Sequence, residues 1–306
     1  MLRMMISLVL IASAVLAQTP ATVAPTDQSL SPVETGALPK AWRPAGPNCL
    51  TVPDWEVHEY NPNLFILRES GCLNYEKPFL YLLFGRDKVL LEDTGAGKVD
   101  TASVVNSVIA KWQARNHRTT PLPLMVIHSH GHGDHIAGDG GFKDSPNIQF
   151  VAASVAEVSK AAGIQNWPAD IGQIDLGNRV IDVIPIPGHE PAGIALYDRQ
   201  TGLLLSGDTF YPGRLYVSAA NFAAFAASIR RLVDFTKNKP VAHILGTHVE
   251  QTRTPYVDYP RGTVYQPDEH ALELSRGDLL ELNDALIAMK DKPVRLSLRS
   301  VIIYLR

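Results

Sequence analysis

Histidine is concentrated in one short stretch of this chain, HSHGHGDHIAGDG, which holds four of the ten histidines. Three of them, His130, His132 and His135, flank Asp134 within six residues. The glycines between them allow tight backbone turns that larger side chains would block. The stretch begins at the end of the apolar run PLMVIH, which predicts a buried strand that presents the side chains from one side. Because imidazole and carboxylate are ligands of zinc, iron and manganese, the stretch predicts a transition-metal site.

Further ligands are predicted at other strand ends, because this stretch alone has too few donors for two metal ions. His189 follows the strand-like run VIDVIPIPG, Asp208 follows GLLLSG, and His248 follows VAHILGT. In each case the His or Asp comes within two residues of a glycine. Alone, each would be an ordinary turn residue. Together with the histidine-rich stretch, they predict one metal centre assembled from the ends of several strands.

Predicted strands and helices alternate from about residue 52 onward, without an internal repeat. Strand-like runs occupy 79–85, 88–93, 123–128 and 147–153, followed by VIDVIPIPG, GIALYDR, GLLLSGD, VAHILG and VRLSLRSVIIYLR. Helical spacing of apolar residues occurs in 100–116, 154–163, 221–237 and LSRGDLLELNDALIAMK. Asn221 is a candidate cap for the third of these helices. The mixture favours one continuous α/β or α+β sandwich domain over residues 49–306.

The N-terminus has the pattern of an export signal. Arg3 precedes the apolar run MMISLVLIASAVLA, and the small residues at its end fit cleavage after Ala17. A short membrane anchor is the alternative, although the run is short for a span. We therefore expect a signal peptide over residues 1–17 and a periplasmic or secreted mature protein. Residues 18–48, rich in Pro, Thr and Ser, are predicted to be a linker or a draped arm.

The chain has two cysteines, Cys49 and Cys72. Export into an oxidising compartment would allow a disulfide between them. Two separate buried thiols are the alternative, and the sequence does not decide because it does not report the distance between the two residues. Neither cysteine has the spacing of a metal ligand.

Composition argues against two classes of partner. The net charge is −3 and the isoelectric point is about 6.4, without a basic stripe, which argues against nucleic-acid binding. After the predicted signal peptide, no run reaches the roughly 18 consecutive apolar residues that a membrane span needs. We therefore expect a small-molecule partner and make no prediction of the oligomeric state.

The motifs resemble those of the metallo-β-lactamase-fold hydrolase superfamily, most closely its glyoxalase II-type and lactonase-type branches. The motifs stand here as His130-Gly-His132-Gly-Asp134-His135, His189 in PGHEPAG, Asp208 in SGDTF, His248 in GTHVEQT and Asp93 in LEDTG. All five occur in order over about residues 55–250. One departure is Glu190, where the family more often has Ser or Thr. The resemblance implies a four-layer αββα sandwich, in which two mixed sheets carry helices on their outer faces.

The resemblance also implies a ligand set. One metal would be held by His130, His132 and His189, the second by Asp134, His135 and His248, and Asp208 would bridge both. Asp93 would fix the ligand loops by hydrogen bonding. The implied cofactor is two Zn²⁺ per chain, with iron or manganese as alternatives. Of the remaining histidines, His128 and His243 are predicted to be strand residues without a ligand role.

The implied chemistry is hydrolysis. Two metals that share a water lower its pKa, so a bridging hydroxide would attack a carbonyl carbon, and Asp134 and Asp208 would guide its proton. The expected substrate is a small-molecule ester, thioester or lactone. β-Lactams are disfavoured because the main zinc β-lactamase classes lack an aspartate equivalent to Asp208. Five tyrosines are candidates to pack the substrate or are ordinary packing residues: Tyr211, Tyr216, Tyr256, Tyr259 and Tyr265.

Other functions of the same fold stay open. An iron-dependent oxidoreductase of the persulfide dioxygenase type would keep His132 and use one iron. The oxygen- or nitric-oxide-reducing branch usually has Glu at the position of His132 and adds a flavin domain, which we do not expect here. A β-lactamase-active relative, a nuclease and a non-enzymatic metal-binding protein complete the alternatives. The acidic charge balance opposes the nuclease, and the complete ligand set opposes the non-enzymatic protein.

Overall fold

The computed structural model of the protein describes residues 33–43, 45–290 and 292–306. The predicted signal peptide and the first part of the predicted linker lie outside the described residues. Within these ranges, two six-stranded sheets and a third, three-stranded sheet form the β-structure. Among the described helices, none combines the length and apolarity needed to cross a membrane.

The first sheet is built from the N-terminal half of the described chain. Its strands are β1 (Trp55–Asn61), β2 (Leu64–Glu69), β3 (Phe79–Phe84), β4 (Val89–Glu92), β5 (Leu124–Ile127) and β6 (Ile148–Phe150). They lie in sequence order. The first four strands pair antiparallel, whereas β4, β5 and β6 are parallel. Parallel neighbours need a crossover connection, and α1 (Thr101–Arg115) supplies it between β4 and β5.

The second and third sheets use the rest of the chain. The remaining strands are β7 (Gly172–Asp175), β8 (Val180–Pro185), β9 (Ile194–Asp198), β10 (Leu203–Gly207), β11 (Arg214–Val217), β12 (His243–Gly246), β13 (Glu273–Leu274), β14 (Leu296–Ser297) and β15 (Ile302–Leu305). The second sheet has the order β13-β12-β10-β9-β8-β7, and the third has β11-β15-β14. The other helices are α2 (Gly133–Ile136), α3 (Val155–Ala162), α4 (Phe222–Thr236) and α5 (Arg276–Met289).

Three apolar layers hold the sheets and helices together. Between the two large sheets, Ile66 and Leu83 of the first join Val183 and Leu196 of the second in one buried cluster. On the outer face of the first sheet, α1 contributes Val105, Val108 and Trp112. On the outer face of the second sheet, α4 and α5 contribute Phe225, Ile229 and Leu282. The predicted four-layer αββα sandwich is therefore confirmed.

The structure refines two local predictions. The predicted terminal strand region VRLSLRSVIIYLR consists of two strands, because a turn in which Leu298 N donates to Val301 O at 2.8 Å folds β14 back on β15. Asn221 lies at the N-cap position of α4, but its side chain makes no capping hydrogen bond. A 3-10 turn, capped by Ser218, leads directly into α4 instead.

The N-terminal segment lies against the sandwich from residue 33 onward. Glu34 N donates to Gln200 O at 2.7 Å, and Ala37 N donates to Tyr60 O at 2.9 Å. Trp42 packs against the cluster between the sheets. A disulfide joins Cys49 to Cys72, so a covalent loop encloses β1 and β2. Of the two alternatives that the sequence left open, the structure has the bridge.

Candidate metal centre

Seven His and Asp side chains meet where strands of the two large sheets end. They are His130, His132, Asp134, His135, His189, Asp208 and His248, the same residues that the motifs predicted as ligands. Their donor atoms form two groups, one of His130, His132, His189 and Asp208 and the other of Asp134, His135 and His248. In each group the donor atoms lie within 4.8 Å of one another. Donors of these types at this spacing can hold a transition metal.

Strand ends and close approaches at glycines position these side chains. His130 and His132 follow β5, and the one-turn helix α2 carries the next two donors. Gly207 ends β10 at φ +52, and a Cβ there would lie 2.9 Å from the Cβ of Ser129. Only glycine therefore allows β10 to end so close to the histidine-rich stretch.

The role predicted for the glycines within that stretch is wrong. Neither Gly131 nor Gly133 has a positive φ, and a Cβ at either position would make at most ordinary contacts. The turns between the histidines therefore do not depend on glycine. The backbone constraints at this centre lie instead at Gly207 and at Gly188, which directly precedes His189, has φ +144 and would place a Cβ 2.5 Å from Phe225 Cα.

Asp208 lies between the two groups of donors. Its Oδ2 is 3.5 Å from His189 Nε2 and 3.8 Å from His130 Nε2. Its Oδ1 is 3.3 Å from His248 Nε2 and 3.6 Å from His135 Nε2. One carboxylate oxygen thus faces each group, which is the geometry that a bridging ligand requires.

Within each group the donor atoms converge. His132 Nδ1 lies 3.0 Å from both His130 Nε2 and His189 Nε2. In the second group, Asp134 Oδ2 lies 3.3 Å from His248 Nε2 and 3.5 Å from His135 Nε2. Lone pairs that point at one another repel unless a proton or a cation lies between them, so both groups suit a bound cation.

Hydrogen bonds at the remote ring nitrogens fix how four of the histidines point. The pairs are His130 Nδ1 with Ser129 Oγ (3.1 Å), His135 Nδ1 with Asp93 Oδ2 (2.8 Å), His189 Nδ1 with Tyr216 O (2.9 Å) and His248 Nδ1 with Glu76 O (2.8 Å). In each pair the remote nitrogen donates its proton, which leaves the lone pair of the other nitrogen facing the cluster. This arrangement is typical of histidines that bind metals.

Asp93 connects the ends of β4 and β5 beneath the cluster. Its Oδ1 accepts a hydrogen bond from Ser129 N at 2.8 Å, and its Oδ2 accepts from Ser129 Oγ at 2.7 Å as well as from His135. A neighbouring buried network was missed by sequence reasoning: Asp139 Oδ1 accepts from Thr94 Oγ1 at 2.8 Å and lies 2.9 Å from His128 Nε2. His128, assigned no ligand role, is thus one of the groups that support the histidine-rich stretch.

The charge balance of the cluster favours a cation. Within the described chain, the ion pairs of Asp134 and Asp208 are with histidines. Burial lowers the pKa of His130 well below its usual range. Burial also opposes charge on His248, but Asp208 and Asp134 overcome it and raise the pKa of His248 to about 9. The carboxylates therefore stabilise positive charge at the position where the two groups meet.

A cleft of about 190 Å³ opens onto the cluster. Besides ligand candidates it is lined by Glu76, Tyr211, Tyr216, Arg261 and Arg306. Of the five candidate tyrosines, Tyr211 and Tyr216 line this metal cleft, and the other three do not appear among its described lining residues. Glu76 and Arg306 were not predicted, because neither follows a strand in the pattern shared by the ligands.

Comparisons with known proteins show what this chain is similar to. Residues 80–294 match the model of the metallo-beta-lactamase superfamily. The acyl-coenzyme A thioesterase MBLAC2 of Gallus gallus is 22% identical over 229 residues, which cover 64% of this chain and 81% of that protein. The hydroxyacylglutathione hydrolase of Cereibacter sphaeroides is 27% identical over 132 residues, which cover 42% of this chain and 50% of that protein.

Solved structures share the fold. A metallo-beta-lactamase from Pontibacter korlensis has a TM-score of 0.50 and 15% identity, and the match covers 76% of this chain and 99% of that one. The metallo-beta-lactamase FIM-1 from Pseudomonas aeruginosa has a TM-score of 0.50 and 14% identity, with 79% and 98% covered. At this level of identity the likeness establishes the architecture alone.

Proposed function

We propose that this chain, which belongs to the metallo-beta-lactamase superfamily of metal-dependent hydrolases, is a dinuclear zinc enzyme that cleaves a small-molecule thioester. The match over residues 80–294 confirms the family that the motifs predicted. The observation that carries the dinuclear proposal is the position of Asp208, whose two oxygens face different groups of donors.

The donor set fits zinc. Imidazole nitrogens supply five of the seven donors, and such a set suits transition metals rather than calcium or magnesium. The first ion would be held by His130, His132 and His189, the second by Asp134, His135 and His248, and Asp208 would give one oxygen to each. When bound, the ions would supply a water of lowered pKa and would polarise the carbonyl oxygen of the substrate.

The chain's own residues would hold the proton and shape the cleft. Asp134 lines the metal cleft, so its carboxylate can accept a proton from the attacking water and return it to the leaving group. Asp208 is fixed from behind by Thr247 Oγ1, which donates to its Oδ1 at 2.5 Å. The Tyr211 hydroxyl already bonds to Arg214 O at 2.5 Å and Glu250 Oε2 at 3.0 Å, so its ring forms a wall of the cleft.

Thioesters are the favoured substrates because of the two curated relatives. One is named an acyl-coenzyme A thioesterase and the other a hydroxyacylglutathione hydrolase, and both names specify acyl derivatives of a thiol. Esters and lactones share the electrophilic carbonyl and are expected to react more slowly, because an alkoxide is a poorer leaving group than a thiolate.

Initial rates on four substrates would test this proposal. We expect kcat/KM for a small acyl thioester above about 10⁴ M⁻¹s⁻¹, within the ordinary enzyme range, and lower values for the matched ester, a γ-lactone and a chromogenic cephalosporin. Chelation should abolish the activity and added zinc should restore it. Oxygen consumption with a persulfide, without hydrolysis of any of the four, would instead identify an iron-dependent oxidoreductase.

We further propose that the mature protein is exported to the periplasm or secreted. The Cys49–Cys72 bridge supports export, because structural disulfides persist mainly in oxidising compartments. The intact mass of the mature protein should correspond to a chain that begins near Gln18, with no free thiol under denaturant until reductant is added. An uncleaved chain with two titratable thiols would contradict export.

A further inference from the structure

A second cavity adjoins the metal cleft. It has a volume of about 470 Å³ and is lined mainly by Arg214, Arg261, Arg295, Arg306, Tyr216 and Tyr304. We call it the arginine pocket. Tyr216, Arg261 and Arg306 line both cavities, so a substrate could occupy the two at once. The volume lies within the range of roughly 300–1,000 Å³ found for small-molecule sites.

Most of the positive charge in the arginine pocket has no carboxylate partner. Arg214 is the exception, because its Nη1 lies 2.7 Å from Glu250 Oε1 and its Nη2 lies 2.7 Å from Asp258 Oδ2. Asp258 is the acidic side chain that lines the pocket, and this bond already engages it. Across the described ranges of the chain, the other three arginines form no ion pair with a carboxylate. Three guanidinium groups therefore leave the pocket positively charged.

Aromatic rings hold two of these guanidinium groups in place. Arg306 lies 4.0 Å from the centroid of the Tyr216 ring, and Arg295 lies 4.5 Å from that of Tyr304. The two tyrosines are register partners on β11 and β15, with ring centroids 5.0 Å apart. Stacking orients a guanidinium plane and leaves its N–H edge free to bind a ligand.

Tyr216 also ties the arginine pocket to the metal centre. Its backbone oxygen accepts the hydrogen bond from His189 Nδ1 at 2.9 Å, while its ring carries Arg306. The distance between the ligand His189 and the stacked arginine is therefore set by one residue. Glu76, the carboxylate of the metal cleft that is not a ligand candidate, does not line the arginine pocket.

We infer that the arginine pocket binds an anionic group of the substrate, a phosphate or a carboxylate, while the scissile carbonyl lies in the metal cleft. This inference rests on the proposed hydrolase function and narrows its substrate class. Guanidinium groups bind both kinds of oxyanion through paired hydrogen bonds. The substrate is thus expected to be an acyl thioester that carries, besides the scissile carbonyl, a negatively charged group able to reach the arginine pocket.

Three thioesters with the same acyl group test the inference. Their leaving thiols are 2-mercaptoethyl phosphate, 3-mercaptopropionate and 2-mercaptoethanol, which carry a phosphate, a carboxylate and no charge. We expect the wild type to have a higher kcat/KM for an anionic substrate than for the neutral one. Whichever of the two anionic substrates has the higher kcat/KM shows whether the pocket binds a phosphate or a carboxylate. In the double variant Arg295→Gln/Arg306→Gln, kcat/KM for the preferred anionic substrate should fall about 30-fold relative to kcat/KM for the neutral substrate. The reason is that hydrogen bonds from charged guanidinium groups stabilise the bound anion, and the variant removes two of these groups.

The control variant is Arg230→Gln, on an exposed position of α4 away from both cavities. It should keep the wild-type ratio. Arg295→Lys/Arg306→Lys keeps the charge and should lose less of the ratio than the Gln pair. Equal kcat/KM for all three substrates in the wild type, or an unchanged ratio in the Gln pair, would overturn the arginine pocket and leave the hydrolase proposal intact.

If none of the three thioesters is hydrolysed, the hydrolase proposal fails. A direct measurement of anion binding then tests the arginine pocket separately. Ethyl phosphate and propionate are then titrated calorimetrically into wild type, the Gln pair and Arg230→Gln, each as purified. The arginine pocket predicts that one anion binds at least about tenfold more weakly to the Gln pair. Equal binding by all three proteins, or no binding by the wild type, would overturn it.

Discussion

We expect Asp208→Asn to lower turnover by more than about 100-fold and to reduce the bound metal toward one ion per chain. The Asn side chain keeps the shape of Asp208 but removes the negative charge that faces both groups of donors. Two bound cations would then repel each other more strongly, because less negative charge would lie between them. Changes at groups that only support a metal ligand already cost 10–100-fold, so loss of a bridging ligand should cost at least about that much. Elemental analysis and initial rates on one preparation would measure both effects.

Two variants serve as controls for Asp208→Asn. Asp284→Asn makes the same substitution on an exposed position of α5. His243→Ala removes an imidazole at the first position of β12, which does not line the metal cleft. Both should keep the wild-type metal content and turnover per folded molecule. If Asp208→Asn kept both metals and full turnover while His243→Ala lost them, the assignment of ligands would be wrong.

Asp198→Asn should lower the free energy of unfolding by about 3–5 kcal/mol, the usual cost of removing one partner from a buried ion pair. Asp198 and Arg179 both have side chains only 1% exposed, and their closest contact is 2.6 Å. Arg179 Nη1 also donates to Asn63 O at 2.6 Å and Phe84 O at 2.9 Å. This guanidinium therefore joins the second sheet to the first, and the variant would leave its charge buried without a carboxylate.

The matched control for Asp198→Asn is Asp87→Asn. Asp87 pairs with Arg86, but these side chains are 54% and 60% exposed, so water replaces the lost contact and stability should hardly change. Urea denaturation followed by circular dichroism measures both variants. Equal midpoints for Asp198→Asn and the wild type would show that the Arg179 contact does not hold the sheets together.

The seven clustered His and Asp side chains could be predicted from sequence because metal chemistry restricts both residue type and position. Asp208 and His248 each follow a short apolar run and a glycine, and that local pattern survives in the structure. The alternation of apolar strand-like runs, such as FLYLLF, with helical patterns predicted an α/β or α+β sandwich. The four-layer arrangement was implied by the resemblance of the motifs to a known family.

The groups that could not be predicted depend on contacts between distant residues. Asp139 and His128 meet only when β5 and the segment after α2 are folded, and their spacing does not indicate a hydrogen bond. The third sheet pairs Tyr216 with Tyr304, which local periodicity cannot reveal. The sequence does not distinguish Arg306 from an ordinary solvent-exposed arginine. Only the pairing of β11 with β15 places it beside the metal cleft.

The number of metal ions bound to the purified wild-type chain tests the central claim most directly. Zinc, iron and manganese are measured together by elemental analysis after the protein has been freed of loosely bound metal. The geometry of the seven donors and the position of Asp208 predict two ions per chain, mostly zinc. One iron per chain without zinc would contradict the dinuclear hydrolase and favour the oxidoreductase.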